Sequence, residues 1–200
     1  GDPRHVVHDG PAAADQPASL YERAVHREQA AYKSLLARQD GENPYLVHQE
    51  LGRVMTETAT VVRHNADLDD ARRKVDELHD RARRCALTDT SQWTNQNVIF
   101  TRALIDMFPL AKTILKGARL RDECRGAHYK PEFEMPHLTA TDPEERRCEA
   151  EQWCDLFQER NRKWLKSTIA EWNADGDPRI SYEDVDTSLI PPRPRLYGVV

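Results

Sequence analysis

Between Arg119 and Phe133 the chain reads Arg-Leu-Arg-Asp-Glu-Cys-Arg-Gly-Ala-His-Tyr-Lys-Pro-Glu-Phe, its densest run of chemically capable side chains. Arg119, Arg121, Arg125, His128 and Lys130 could together hold a dicarboxylate or a phosphate, because a guanidinium presents a planar fork of donors to such anions. The same cations could instead pair with Asp122, Glu123 and Glu132 and cap the last carbonyls of a helix, with Gly126 ending that helix in a left-handed turn. From spacing alone the structural reading outweighs the ligand-binding one. Cys124 with His128 is a candidate nucleophile pair. Arg121 and Arg125 would favour a thiolate, a helix C-terminus would oppose it, and no oxyanion donor is suggested, so no catalytic residue is assigned.

Other chemistries find less support. The eight glycines lie at 1, 10, 41, 52, 117, 126, 176 and 198, and no two are spaced as a phosphate-cradling loop requires, so no cofactor-binding residue is assigned. His5, His8, His26, His48, His64, His79, His128 and His137 are scattered over separate elements, and no metal ligand is assigned. Cys85, Cys124, Cys148 and Cys154 have no close pairing pattern and read as reduced thiols. A net charge of -5 with 32% charged residues gives a mixed surface without the basic excess that nucleic acid demands. Apolar runs are too short to span a bilayer, so any membrane association is expected through another protein. The chain starts at Gly1 without a secretory signal, which reads as a piece cut from something longer.

These residues must be positioned by helices. Residues 1 to 18 carry Pro3, Gly10, Pro11 and Pro17 without apolar periodicity and read as a linker or lead-in. Ser19-x-x-Glu22 has the form of a capping box opening a first helix that continues through Leu20, Tyr32 and Leu35 toward Gln39. Asn43 and Pro44 open a second, in which Val47, Leu51, Val54, Met55, Thr58, Val61 and Val62 form one buried stripe. A third starts near Asp67 and places Leu68, Ala71, Val75, Leu78, Ala82 and Cys85 on a narrow seam. A fourth runs from about Asn95 to Asp122, carrying Val98, Ile99, Leu104, Ile105, Phe108, Ala111, Ile114, Leu115 and Ala118, with a kink near Ile105 imposed by Pro109.

Short turns between long helices predict a mainly α fold: an antiparallel three- to four-helix bundle, spectrin-repeat-like, over residues 19–133. Residues 134–200 add a charged helix near Pro143 to Arg160, a small β-hairpin around Asp175-Gly176-Asp177-Pro178, and a proline-rich docking arm at Pro191, Pro192 and Pro194.

The run Arg121 to Phe133 resembles the Arg-x-Glu-Ser-Arg-Gly-Ala-His-Tyr-[Arg/Lys]-x-[Asp/Glu]-Phe pattern in the C-terminal helical domain of succinate dehydrogenase and fumarate reductase flavoprotein subunits. Leu51-Gly52-Arg53-Val54-Met55-Thr56 with Val61-Val62-Arg63 is similar to a helix of that family. Tyr182-Glu183-Asp184-Val185-Asp186 with Pro191-Pro192-Arg193-Pro194-Arg195-Leu196-Tyr197 resembles its tail. The resemblance implies a helical core appended to FAD-binding and capping domains that lie outside this chain. It implies no cofactor in the fragment and FAD in the parent subunit, which oxidises succinate and passes electrons through an iron-sulfur subunit to quinone.

In that frame the fragment alone is inactive, and Arg121, Glu123, Arg125, His128 and Tyr129 form an interdomain docking corner. The parent complex would sit peripherally on the cytoplasmic face of the inner membrane, touching its membrane anchor only indirectly. Cys124 departs from the family's serine, and a charged insertion at about 139–162 has no counterpart in shorter relatives. L-Aspartate oxidases share an Arg-Gly-x-His-Tyr motif, but they generally lack this tail, which favours the succinate enzyme, in the version that works with menaquinone. A free-standing helical adaptor is the rival from another class.

Overall fold

The computed structural model describes residues 16–194. Four helices precede the arginine-rich run: α1 (Ala18–Leu36), α2 (Pro44–Ala59), α3 (Asn65–Ala82) and α4 (Gln96–Leu120). A 3-10 turn at Pro131–Phe133, helix α5 (Pro143–Trp164) and the strands β1 (Lys166–Glu171) and β2 (Arg179–Asp184) follow it. The expected lead-in over residues 1 to 18 falls mostly outside the described residues, and α1 begins at Ala18.

Local chemistry explains the helix starts. Asn43 accepts the Tyr45 amide at 2.9 Å with Pro44 in the first helical position, and Asn95 accepts the Val98 amide at 3.2 Å. The capping box at Ser19 does not form. Ser19 already lies inside the first turn, so its hydroxyl cannot reach back over the free amides and accepts from Arg23 instead. Helix α1 also stops at Leu36, short of Gln39, and α3 opens at Asn65 behind His64 rather than near Asp67. Helix α4 runs through Pro109, as expected, with the proline on the exposed side.

Helices α2, α3 and α4 share one core. Val47, Leu51 and Val54 meet Leu68, Val75 and Leu78 and then Leu104, Phe108 and Leu115, most of them fully buried. Each such side chain contributes about 1.5–3 kcal/mol through removal from water. The predicted seam of α3 is buried throughout, from Leu68 to Cys85. Helix α1 packs through Leu35 on Leu87 and Val98 in a separate small cluster and is tied to α4 by an ion pair between Glu28 and Arg102. The bundle is therefore three-helical in its core, with α1 as an attachment.

Some predicted stripe positions face out: Val61, Val62, Ile99 and Ile114 are exposed. The first two lie beyond the end of α2, where helical periodicity no longer applies.

Close backbone approach fixes the α1–α2 turn. A Cβ on Gly41 would fall 2.2 Å from the Arg84 carbonyl oxygen, and the neighbouring Glu42 carbonyl accepts the Ala86 amide at 3.2 Å. Ion pairs reinforce this end, since Arg81 reaches Glu42 at 2.6 Å and Glu50 at 2.8 Å.

The predicted hairpin is present. Strands β1 and β2 pair antiparallel from Lys166 opposite Asp184 to Glu171 opposite Arg179, and Gly176 in the connection has φ +83°. Beyond β2, residues 185–194 carry no helix or strand. The rest of the proline-rich arm, from Arg195, lies outside the described residues.

Candidate functional site

The arginine-rich run leaves α4 at Leu120 and folds into a turn, not a helix end. Arg125 and His128 exchange backbone hydrogen bonds at 2.8 and 3.0 Å, with Gly126 and Ala127 as the two-residue loop. Gly126 has φ +58°, which suits the first central position of a tight hairpin turn. Its left-handed conformation was expected to terminate α4, yet that helix ends six residues earlier. The turn is then stitched to the end of α2: the Arg63 amide donates to the Tyr129 carbonyl at 2.9 Å, and the Tyr129 amide to the Val61 carbonyl at 3.2 Å.

Glu123 is the hub. Its side chain is buried and accepts from Arg121 at 2.5 Å and from Arg125 at 3.0 Å. Arg121 also donates to the carbonyls of Trp164 and Lys166 and to the Thr168 hydroxyl, tying the run to the end of α5 and to β1. Arg125 reaches the Asn161 side-chain oxygen at 2.9 Å. One buried carboxylate thus organises two guanidiniums whose remaining donors reach two elements, α5 and β1.

Lys130 is wholly buried, over the Phe133 ring, and donates to Asp122 at 2.9 Å and to the Arg119 carbonyl at 3.1 Å. Burial would push the Asp122 carboxyl up, but the hydrogen bonds from Lys130 and Asn65 outweigh it and hold it below the ordinary carboxylate range. Arg119 turns away to Asp69 on α3, at 2.8 Å. Arg119, Arg121, Arg125 and Lys130 are therefore each matched to a carboxylate of this chain. The arrangement favours internal ion pairing over capture of a free anion.

His128 accepts from Arg63 through Nδ1 at 2.6 Å and donates from Nε2 to the Arg121 carbonyl at 2.8 Å, an assignment that requires the neutral ring. Burial lowers its pKa, the Arg121 carbonyl opposes this, and the Arg63 and Lys130 charges lower it further. Both nitrogens are engaged, and the Cys124 thiol instead donates to the Lys130 carbonyl at 3.1 Å and accepts the Lys130 amide at 3.3 Å. The candidate Cys124–His128 pair is not assembled by these contacts. The thiol makes both bonds that a serine hydroxyl would make at that place. Tyr129 donates its hydroxyl to Glu134 at 2.8 Å.

Three partners in this network escape sequence reasoning. Asn161, Trp164 and Thr168 lie 36 to 47 residues from the arginines they meet, and no local pattern marks them. Beside the network lie exposed apolar groups: Val61 and Val62 are about half exposed, Leu120 nearly so, and Gly126 and Ala127 face outward. Farther along, Leu189 and Ile190 are almost fully exposed.

Comparison with known proteins places these features. The profile of a family described as fumarate reductase flavoprotein C-term matches residues 48–197. The succinate dehydrogenase flavoprotein subunit of Bacillus subtilis strain 168 is 37% identical over 189 residues, covering 94% of this chain and 28% of that protein. The fumarate reductase flavoprotein subunit of Escherichia coli K12 is 29% identical, covering 83% of this chain and 24% of that protein. Among solved structures, an E. coli quinol fumarate reductase chain superposes with a TM-score of 0.70 at 26% identity, over 91% of this chain and 28% of that one. The chain thus spans about a quarter of the length of the proteins it matches.

Proposed function

The chain belongs to the fumarate reductase flavoprotein C-terminal family, and on that premise we propose that it acts as a rigid docking module of a subunit that interconverts succinate and fumarate. In this reading FAD is held by the remainder of the subunit. The residues described here do not fit a dinucleotide: their two strands form an antiparallel hairpin, without the parallel strand, glycine-rich turn and helix that cradle a pyrophosphate. No redox step is routed through this chain.

Its task is positional. Arg121, Glu123, Arg125, His128 and Tyr129 form the interdomain corner by locking the loop from inside, so that the exposed face of Val61, Val62, Gly126 and Ala127 is offered to the FAD-binding and capping domains as a preformed surface. Preformation lowers the ordering cost of docking. The observation that carries the reading is the pairing of an internally ion-paired network, centred on the buried Glu123, with an exposed apolar rim. The iron-sulfur subunit is the further partner, reached by the extended segment at Leu189 and Ile190. The membrane anchor is contacted only through other subunits, at the cytoplasmic face of the membrane, and no helix among the described residues is long and apolar enough to cross it.

The test places Val62→Asp in the complete subunit and in this chain by itself. The isolated chain should keep its helical circular dichroism, because the side chain is exposed, while the complete subunit should lose assembly and retain less flavin. Equal flavin retention and assembly in mutant and wild type would remove this face from the docking surface.

A further inference from the structure

We propose that the cleft between the hairpin connection and the α3–α4 face is a binding site for a small planar aromatic carboxylate. The cleft encloses about 380 Å³, within the range of small-molecule sites. Its walls include Leu110 of α4 and Trp172 at the end of β1, which are 65% and 80% exposed, and a buried Pro178. An indole held at the mouth of an apolar groove offers one face to a flat ring.

The polar observation is independent of that shape. His79 lines the cleft and is only 7% exposed. One face of its ring is stacked on Phe108, at 4.8 Å between centroids and 10° between planes. Among the described residues neither ring nitrogen has a hydrogen-bond partner. An imidazole with no partner in its own chain keeps its ring N–H free for a ligand, and an oxygen in the cleft can accept it.

Charge fixes the sign of that ligand. Arg83 and Lys112 line the same space. Lys112 is held by Asp76 at 2.6 Å, whereas Arg83 has only a 4.0 Å approach to Asp80, so its guanidinium is available. Glu171 is the acid on the lining and repels an anion near it, which favours seating the carboxylate on Arg83. The neutral His79 ring donates one hydrogen bond to that carboxylate, the Arg83 fork donates the others, and the ring system lies between Leu110 and Trp172.

The probe is 2-naphthoate, with 2-naphthylmethanol as its uncharged counterpart, followed by nitrogen-15 NMR of the chain. The expected result is saturable one-to-one binding that shifts the Trp172 indole and the His79 ring nitrogens and leaves the exposed Trp93 indole unmoved. Trp172→Ala, Arg83→Ala and the alcohol should each bind about tenfold more weakly. Both substituted side chains are exposed, so the fold should persist. Shifts that never saturate, that appear equally at Trp93, or that are matched by the variants or by the alcohol would overturn the assignment. The assay needs only this chain, so its failure would leave the docking reading intact.

Discussion

Glu123→Ala is the substitution that most directly probes the corner. In the folded chain the carboxylate is buried and shared by Arg121 and Arg125, whose side chains are 13% and 34% exposed. Removing one partner of a buried ion pair costs about 3–5 kcal/mol, because the surviving charge stays desolvated without compensation. Two features of this site pull the figure toward the lower end. Arg121 keeps its bonds to Trp164, Lys166 and Thr168, and Arg125 keeps Asn161 and has access to water.

The expected loss is therefore about 3 kcal/mol. Urea denaturation followed by helical circular dichroism and by tryptophan emission measures it, and emission is apt because Arg121 lies 5.9 Å from the centre of the Trp164 ring. Glu123→Gln, which keeps the shape and one acceptor, should lose less. A loss in Glu123→Ala below about 0.5 kcal/mol, the scale of an exposed ion pair, would refute the claim that this carboxylate organises the loop.

Other perturbations follow from the same geometry. Arg125→Ala should cost about 1 kcal/mol in the isolated chain, since its partner Glu123 retains Arg121, while weakening assembly of the complete subunit; thermal melts and gel filtration check the two halves. Acid should destabilise the fold. The His79 pKa is driven to about 4, first by burial and then by Arg83 and Lys112, from an ordinary value of 6.5. The unfolded chain therefore binds the extra proton across that window, and the stability present above about pH 6.5 is lost as pH falls toward 4, by about 3 kcal/mol for a shift of this size. The lowered pKa of His128 acts in the same direction, and denaturation midpoints between pH 7 and 4 read the sum. A stability that is flat over that range would contradict both assignments. Gly41→Ala should cost about 1–3 kcal/mol, because its Cβ meets backbone at Arg84 and not a yielding side chain; chemical denaturation measures it.

The family relation also bears on the cysteine at 124. A thiol and a hydroxyl are both able to donate once and accept once, and Lys130 presents both its amide and its carbonyl at that place. A serine at 124 would therefore keep the same local bonding pattern. Helix α5 has a role within the fold as well: it supplies Asn161 and the Trp164 carbonyl to the two arginines and so buttresses the corner.

What the sequence determined by itself was everything carried by short-range periodicity and turn chemistry. The Leu68 to Cys85 seam, the asparagine cap at Asn43, the start of the fourth helix near Asn95, the hairpin around Gly176 and the arginine-rich motif were legible because each depends on residues within a few positions of one another. Tertiary structure decided the rest. Val61 and Val62 match the helical period of α2 but lie past its end, and Ser19 has the right neighbours for a cap but sits one step inside the turn. The inward direction of Arg121 and Arg125 was settled by Glu123, Asn161 and the carbonyls of α5 and β1, partners that converge only when the chain closes. A cation's charge and reach are written in its residue type; whether it meets a carboxylate of its own chain or a ligand depends on which distant groups folding brings within hydrogen-bond range.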